Sequence, residues 1–129
     1  MDADNVPAAR IVTLLGAVAA LDDVRLVAVG HPEALAAVNW PAGAQLTAAS
    51  GWQRADLLLA AAYRPDNAPL VLVSGDGDFG LLAARHPGPV LVVSEAPSGR
   101  LRAAATVIDP VHDGPGRLEQ WLTAALAQP

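Results

Sequence analysis

The run Leu70 to Phe79, LVLVSGDGDF, sets two carboxylates, Asp76 and Asp78, just beyond a short apolar, β-branched segment. Such a segment has the composition of a buried parallel strand running into a loop. In open α/β sheets, ligands bind outside the carboxyl ends of the strands, so both acids fall where such folds carry their sites. Gly75 and Gly77 remove side-chain bulk around them and let a ligand approach the backbone. Two carboxylates this close repel, and each resists ionising unless a cation or a donor offsets the repulsion. A hard divalent metal is the simplest offset. Gly and Asp are also ordinary turn residues, and Asp78 is placed to cap a helix that starts near Phe79. A second acidic pair, Asp2 and Asp4 in MDADNV, tips the reading toward a metal-binding cluster.

The elements that must position these acids follow from hydrophobic spacing. Met1 to Asn5 is too short to be a strand in its own right. Pro7 to Leu21 carries Ile11, Leu14, Leu15 and Val18 at helical spacing, with Pro7 suited to a first turn. Arg25 to Gly30 reads as a strand, Pro32 to Val38 as a short helix ended by Trp40 and Pro41, and Gln45 to Ala48 as a brief edge strand. Gln53 to Tyr63 reads as a helix with Leu57, Leu58 and Ala61 facing inward. After the central strand, Phe79 to Arg85 is helical, Pro89 to Val93 is a buried strand, Ser98 to Ala104 a short helix and Thr106 to Ile108 a final short strand. Gly116 to Ala127 closes the chain as an amphipathic helix with Leu118, Trp121, Leu122 and Leu126 on one stripe. Strands alternating with helices predict an α/β fold with a mostly parallel sheet covered on both faces.

Composition narrows the function classes. The 129 residues are 53% hydrophobic and 16% charged, which suits one domain with a real core. Zero Cys excludes disulfides and thiolate metal sites. No apolar run reaches the roughly 18 residues of a membrane span, so no membrane association is expected. The N-terminus lacks a charged-then-apolar signal segment, which makes a cytoplasmic location the expectation. Eight basic residues, all Arg, stand against 13 acidic ones, for a net charge of −5. That balance argues against a nonspecific nucleic-acid coat, which shows a basic face. It leaves room for a metal-dependent nuclease, whose clustered carboxylates are part of the acidic count.

Other residues admit two readings each. Asp56, the one acid in QRADLLLAAAY, is either solvent-facing or a third metal-side carboxylate. Arg54, Arg100 and Arg102 are either solvated helix residues or phosphate contacts, since the guanidinium fork donates two hydrogen bonds at once. His31, His86 and His112 lack zinc-site spacing and read as surface residues. Trp40, Trp52 and Trp121 read as packing residues, with Trp52 also able to stack on a base. Asp109 reads as a turn residue. Ser74 lacks the strand-Ser-helix elbow and reachable His of a hydrolase nucleophile.

Taken together, these residues resemble the NYN domain, a branch of the PIN-like metal-dependent ribonucleases, over nearly the whole chain. The likeness rests on Asp2, Asp4 and Asn5 as the D-x-[DE]-N that ends a first strand, and on Asp56 as the acid of a middle helix. It continues with Ser74, Gly75, Asp76, Asp78 and Phe79 as SGDxDF, and with Ser98, Leu101, Arg102, Ala103 and Ala104 before a last strand. The resemblance implies a single PIN-like domain over residues 1–129, a three-layer sandwich around a mostly parallel central sheet. Because only Met1 precedes Asp2, its first central strand is truncated, and the natural chain is expected to begin upstream. The resemblance further implies Mg²⁺ or Mn²⁺ held by Asp2, Asp56, Asp76 and Asp78 as metal and catalytic residues. RNA is the implied partner and substrate, contacted by Asn5, Arg54, Ser74 and Arg102, with phosphodiester hydrolysis as the reaction. The family often has a further acid beyond the Asp56 position, where this chain has Ala60, Ala61 and Ala62.

Two other classes stay open on the sequence. A catalytically degenerate NYN-like module that binds RNA or protein would keep the fold without the chemistry. A haloacid-dehalogenase-like phosphatase also begins D-x-D, but it wants a Thr or Ser soon after the second Asp and usually a Lys. Here Val6 and Pro7 follow Asn5 and the chain has no Lys.

Overall fold

The computed structural model describes residues 1–49 and 52–127, apart from the side chains of residues 52–54. Its strands are short and all pair in parallel. β1 (Val27–Gly30) pairs with β2 (Gln45–Ala48), and β4 (Val90–Val93) pairs with both β3 (Leu70–Val73) and β5 (Thr106–Ile108). Parallel neighbours need crossover connections, and helices supply them. α2 (Pro32–Ala36) joins β1 to β2 and α3 (Trp52–Ala62) leads into β3. A 3-10 turn over Gly77–Phe79 runs into α4 (Gly80–Arg85) between β3 and β4, and α5 (Gly99–Ala104) joins β4 to β5. α1 (Ala8–Val18) precedes β1, and α6 (Pro115–Leu126) follows β5.

The two ladders have no strand in common, and Met1–Ala3 lies between them. The Met1 amino group donates to Val27 O at 2.6 Å, Val29 N–H to Met1 O at 3.0 Å and Ala3 N–H to Val29 O at 3.0 Å. On the other side, Asp2 N–H donates to Val73 O at 2.8 Å. A stretch too short for a strand thus bridges β1 and β3 and fixes Asp2 in the middle of the fold.

Strand alternation divides the core. Val73, Leu91, Val93 and Ile108 pack with Ile11 and Leu14 of α1 and Leu118 and Leu122 of α6. Leu72 and Val92, on the opposite face, pack with Phe79, Ala83 of α4 and Leu101 of α5. Helices therefore cover both faces of the β3–β5 ladder, which is why its strands read as continuous apolar runs. Each fully buried Leu, such as Leu91 or Leu101, contributes roughly 1.5–3 kcal/mol by leaving water.

Local chemistry sets the element ends. Ser98 Oγ accepts the Leu101 N–H at 3.4 Å and starts α5. Pro32 and Pro115 open α2 and α6, where a missing N–H costs nothing. Gly114 holds φ +87 just before α6, a conformation side chains rarely adopt. Asp109 keeps its turn role, accepting the Val111 and His112 N–H groups through Oδ1.

Three expectations fail. In α3 the inward face is Ala55, fully buried, with Leu58 and Leu59, whereas Leu57 is 70% exposed and Ala61 is exposed. Small Ala55 lets the helix close on Val29 and Ala49, and that rotation throws Leu57 to solvent while turning Asp56 partly inward. In α6 the buried stripe is Leu118, Leu122 and Ala125, and Leu126 is exposed. His86 is a buried residue, not a surface one. Its Nε2 lies 2.7 Å from Ala68 O and its Nδ1 2.7 Å from the Tyr63 hydroxyl. A carbonyl only accepts, so Nε2 carries the proton and Nδ1 accepts from Tyr63, tying the end of α3 to the end of α4.

Candidate functional site

The site is built at the carboxyl ends of β1 and β3. Asp2 is fully buried. Its Oδ2 accepts the Asn5 side-chain amide at 2.9 Å and the Ser74 hydroxyl at 3.2 Å. Its Oδ1 is buried without a hydrogen-bond partner, and an unsatisfied carboxylate oxygen away from water is costly.

Ser74, the residue directly after β3, is also fully buried. Besides donating to Asp2, its Oγ accepts the Asp76 N–H at 3.1 Å. One hydroxyl thus couples the N-terminal acid to the GDGD loop. Asp76 in turn accepts the Asp78 N–H through Oδ1 at 2.9 Å and caps the 3-10 turn. The helix cap is Asp76, therefore, and Asp78 is exposed, its carboxylate making no hydrogen bond among the described residues.

Asp56, half-buried on α3, completes the cluster. One carboxylate oxygen each from Asp56, Asp76 and Asp78 lies within 4.8 Å of the others. Desolvation, a hydrogen bond with Asp76, and repulsion from Asp76, Asp2 and Asp78 push the Asp56 carboxyl up to about 6. Asp2 is not one of the three acids whose oxygens converge; it acts on Asp56 through charge repulsion and is tied to the loop through Ser74. Among the described residues no Arg or His forms an ion pair with any of these acids; the ion pairs there belong to Arg10 and His31.

Asp4 does not join them. Its Oδ1 accepts the His31 N–H at 2.7 Å, and Oδ2 stands 2.8 Å from His31 Nδ1 but outside hydrogen-bond geometry. It fastens the N-terminus to the turn between β1 and α2. Asn5 is exposed and points its amide at Asp2.

Among the candidate phosphate contacts, the Arg54 side chain lies outside the described residues. Arg102 is exposed on α5. Arg100 runs its stem across the loop: a Cβ on Gly77 would sit 3.6 Å from Arg100 Cδ and 2.9 Å from Ser98 Oγ, and one on Gly80 3.1 Å from Arg100 Cβ. Glycine at both positions is what lets α5 lie against the GDGD loop. A shallow groove of about 480 Å³, lined by Gly77, Asp78, Leu81, Arg100 and Ala103, borders the acids there.

Sequence reasoning missed a clamp at the carboxyl ends of β4 and β5. Arg10 of α1 donates to both carboxylate oxygens of Asp109 at 3.2 Å and pairs with Glu95 at 3.2 Å. Burial alone would raise the Asp109 carboxyl, yet hydrogen bonds from Arg10, Val111 and His112 hold it below the ordinary range. The clamp ties α1 to the ends of β4 and β5 across 99 positions, and no local spacing announces such a pair.

No family model, curated protein or solved structure matches this chain. The functional reading therefore rests on the residues and their geometry.

Proposed function

We propose that the chain is a Mg²⁺- or Mn²⁺-dependent ribonuclease of the NYN/PIN-like type, hydrolysing RNA phosphodiester bonds at the Asp2, Asp56, Asp76 and Asp78 cluster. The observation that carries this reading is the convergence of Asp56 of α3 with Asp76 and Asp78 of the loop after β3, none of them ion-paired with an Arg or His among the described residues. The donor set suits a hard divalent ion, which prefers oxygen ligands. The buried Asp2 Oδ1 without a partner is the kind of atom such an ion satisfies.

Asp56, Asp76 and Asp78 would hold the ion, with Asp2 tied to their loop through Ser74. When bound, it supplies charge neutralisation for a phosphodiester and a lowered pKa for an attacking water. The chain's own residues do the rest. Ser74 and Asn5 fix the Asp2 carboxylate, the Ser74 hydroxyl fixes the loop that carries Asp76 and Asp78, and Asp76 shapes that loop by capping its turn. Arg100 and Arg102 on the adjoining helix offer forks for flanking phosphates. Helices on both faces of the β3–β5 ladder, with Met1–Ala3 lying between it and the β1–β2 ladder, support a three-layer PIN-like sandwich as the fold.

Incubating the protein with end-labelled RNA with and without Mn²⁺ tests the reading. Cleavage is expected only with the ion and is lost in Asp76→Asn. Cleavage retained by that variant, or none by the wild type, would sink the proposal.

A further inference from the structure

The GDGD loop alternates, and its two kinds of residue meet two different partners. Asp76 and Asp78 converge with Asp56 of α3. Gly75 and Gly77 lie against the segment that joins β4 to α5. A Cβ on Gly75 would stand 3.0 Å from both Ser94 Oγ and Ala96 O, and one on Gly77 2.9 Å from Ser98 Oγ and 3.3 Å from Ser98 Cβ. Hydrogen bonds hold that register. Ser98 N–H donates to Gly75 O at 3.1 Å, and the buried Ser94 accepts the Ala96 N–H through Oγ at 3.2 Å.

Gly77 owes nothing to backbone conformation. Among the described glycines only Gly43 and Gly114 take positive φ, so an alanine could adopt the Gly77 backbone and would lose less chain entropy on folding. What excludes a side chain there is Ser98. Rotating Ser98 Oγ away would give up the Leu101 N–H that it caps at 3.4 Å, and Ser98 Cβ would still crowd the position. The Arg100 stem closes the other side, its Cδ 3.6 Å from the same point. The room that this glycine leaves is filled from within the fold.

We propose that Ser98 is a positioning residue for the acid cluster: its side chain, seated on Gly77, fixes how far Asp76 and Asp78 stand from Asp56. Gly77 is bonded to Asp78 on one side and Asp76 on the other, and Asp76 Oδ1 holds the Asp78 N–H at 2.9 Å, so a shift of Gly77 carries both acids. Asp56 does not follow, because its neighbour Ala55 is packed on Val29 and Ala49. A small hard ion tolerates little error in the spacing of its oxygens, Mg²⁺ least of all. The inference rests on the metal reading of the cluster and adds to it a residue, on an element that supplies no acid, that sets how tightly the ion is held.

The test compares the wild type with Gly77→Ala, Ser98→Gly and the double variant. Mn²⁺ binding is read by electron paramagnetic resonance of the free ion, and stability by urea unfolding without divalent ions. Glycine keeps much of the worth of an N-cap and removes both serine atoms that the new methyl would strike. Gly77→Ala is expected to weaken Mn²⁺ binding about tenfold, the low end for residues that orient metal ligands. Ser98→Gly leaves the loop without its seat and should weaken binding about threefold, and the double variant, whose methyl refills the space, should return to near the wild-type affinity, the two sites being coupled.

An unfolding midpoint that falls in Gly77→Ala while its affinity holds makes the contact one of stability alone and overturns the proposal. So does a double variant that binds no more tightly than either single one. Where Gly77→Ala does not fold, the double variant must still bind more tightly than Ser98→Gly. A wild type that binds no Mn²⁺ removes the metal reading and this proposal together, whereas a binding wild type matched by Gly77→Ala removes this proposal alone.

Discussion

The Asp2 carboxylate and the Ser74 hydroxyl meet at 3.2 Å across 72 positions of sequence, both fully buried. This one contact joins the N-terminus to the end of β3 and, through the Asp76 N–H on the same hydroxyl, to the GDGD loop. The acids are therefore gathered by a buried polar bridge as well as by strand topology.

Ser74→Ala breaks both bonds at once. Asp2 Oδ2 loses one of its two donors and the Asp76 N–H loses its acceptor. Unsatisfied buried groups cost about 1–3 kcal/mol each, so urea unfolding should show a loss in this range. Stabilisation by Mn²⁺ should weaken in parallel. An unchanged unfolding midpoint would mean that the hydroxyl does not hold the loop.

The acid cluster also makes stability depend on pH. The Asp56 carboxyl rises from 3.8 unfolded to about 6 folded, so the folded state binds more protons between these values. Its charge costs nothing below pH 3.8, an increasing amount up to about pH 6, and the full amount above. Without divalent ions, Asp56→Asn should therefore raise Tm by a few degrees at pH 8, the partial exposure of Asp56 keeping the gain small. At pH 3.5 the two proteins should melt together. A Tm that falls at pH 8 would contradict the repulsion inferred for this group.

Divalent ions should reverse that ordering. An ion must displace the proton of Asp56, so the rise in Tm given by Mn²⁺ should be larger at pH 8 than at pH 5. At an ion concentration of about 100 times Kd the gain is about 2.7 kcal/mol. A gain independent of pH in differential scanning calorimetry would place the ion elsewhere.

The Arg10 clamp acts at the other end of the pH scale. The Asp109 carboxyl is depressed below 3.8 in the folded state. It therefore contributes stability above that pH and loses it as pH falls further. Arg10→Ala should lower Tm at pH 7 and flatten the acid limb of the Tm profile, leaving Mn²⁺ stabilisation in place. Loss of Mn²⁺ stabilisation would show that the clamp shapes the acid site.

Much of the fold was legible because local signals agreed with the tertiary outcome. The strands at Gln45–Ala48 and Thr106–Ile108 fall on the expected residues, and LVLVSGDGDF places its acids at a strand end. What local pattern could not supply was which face of a weakly amphipathic helix turns inward. The run Leu57, Leu58, Leu59 offers an apolar residue in every direction, and the small Ala55 decides the matter by how closely it approaches Val29 and Ala49. His86 escaped for a similar reason: its flanking Pro and Gly marked a loop, whereas its two hydrogen bonds come from Tyr63 and Ala68, far away in sequence. Asp4 looked like half of an acidic pair, yet in an extended backbone neighbours two apart share a face only when the strand continues. Here the chain turns after Ala3, and Asp4 goes to His31.

The most direct measurement is Mn²⁺ binding at pH 8, by electron paramagnetic resonance of the free ion, for the wild type and for Asp76→Asn. The carboxylate cluster predicts saturable binding by the wild type that is weakened at least tenfold in the variant while its fold, read by circular dichroism, is kept. Equal binding by both proteins, or none by the wild type, would contradict it.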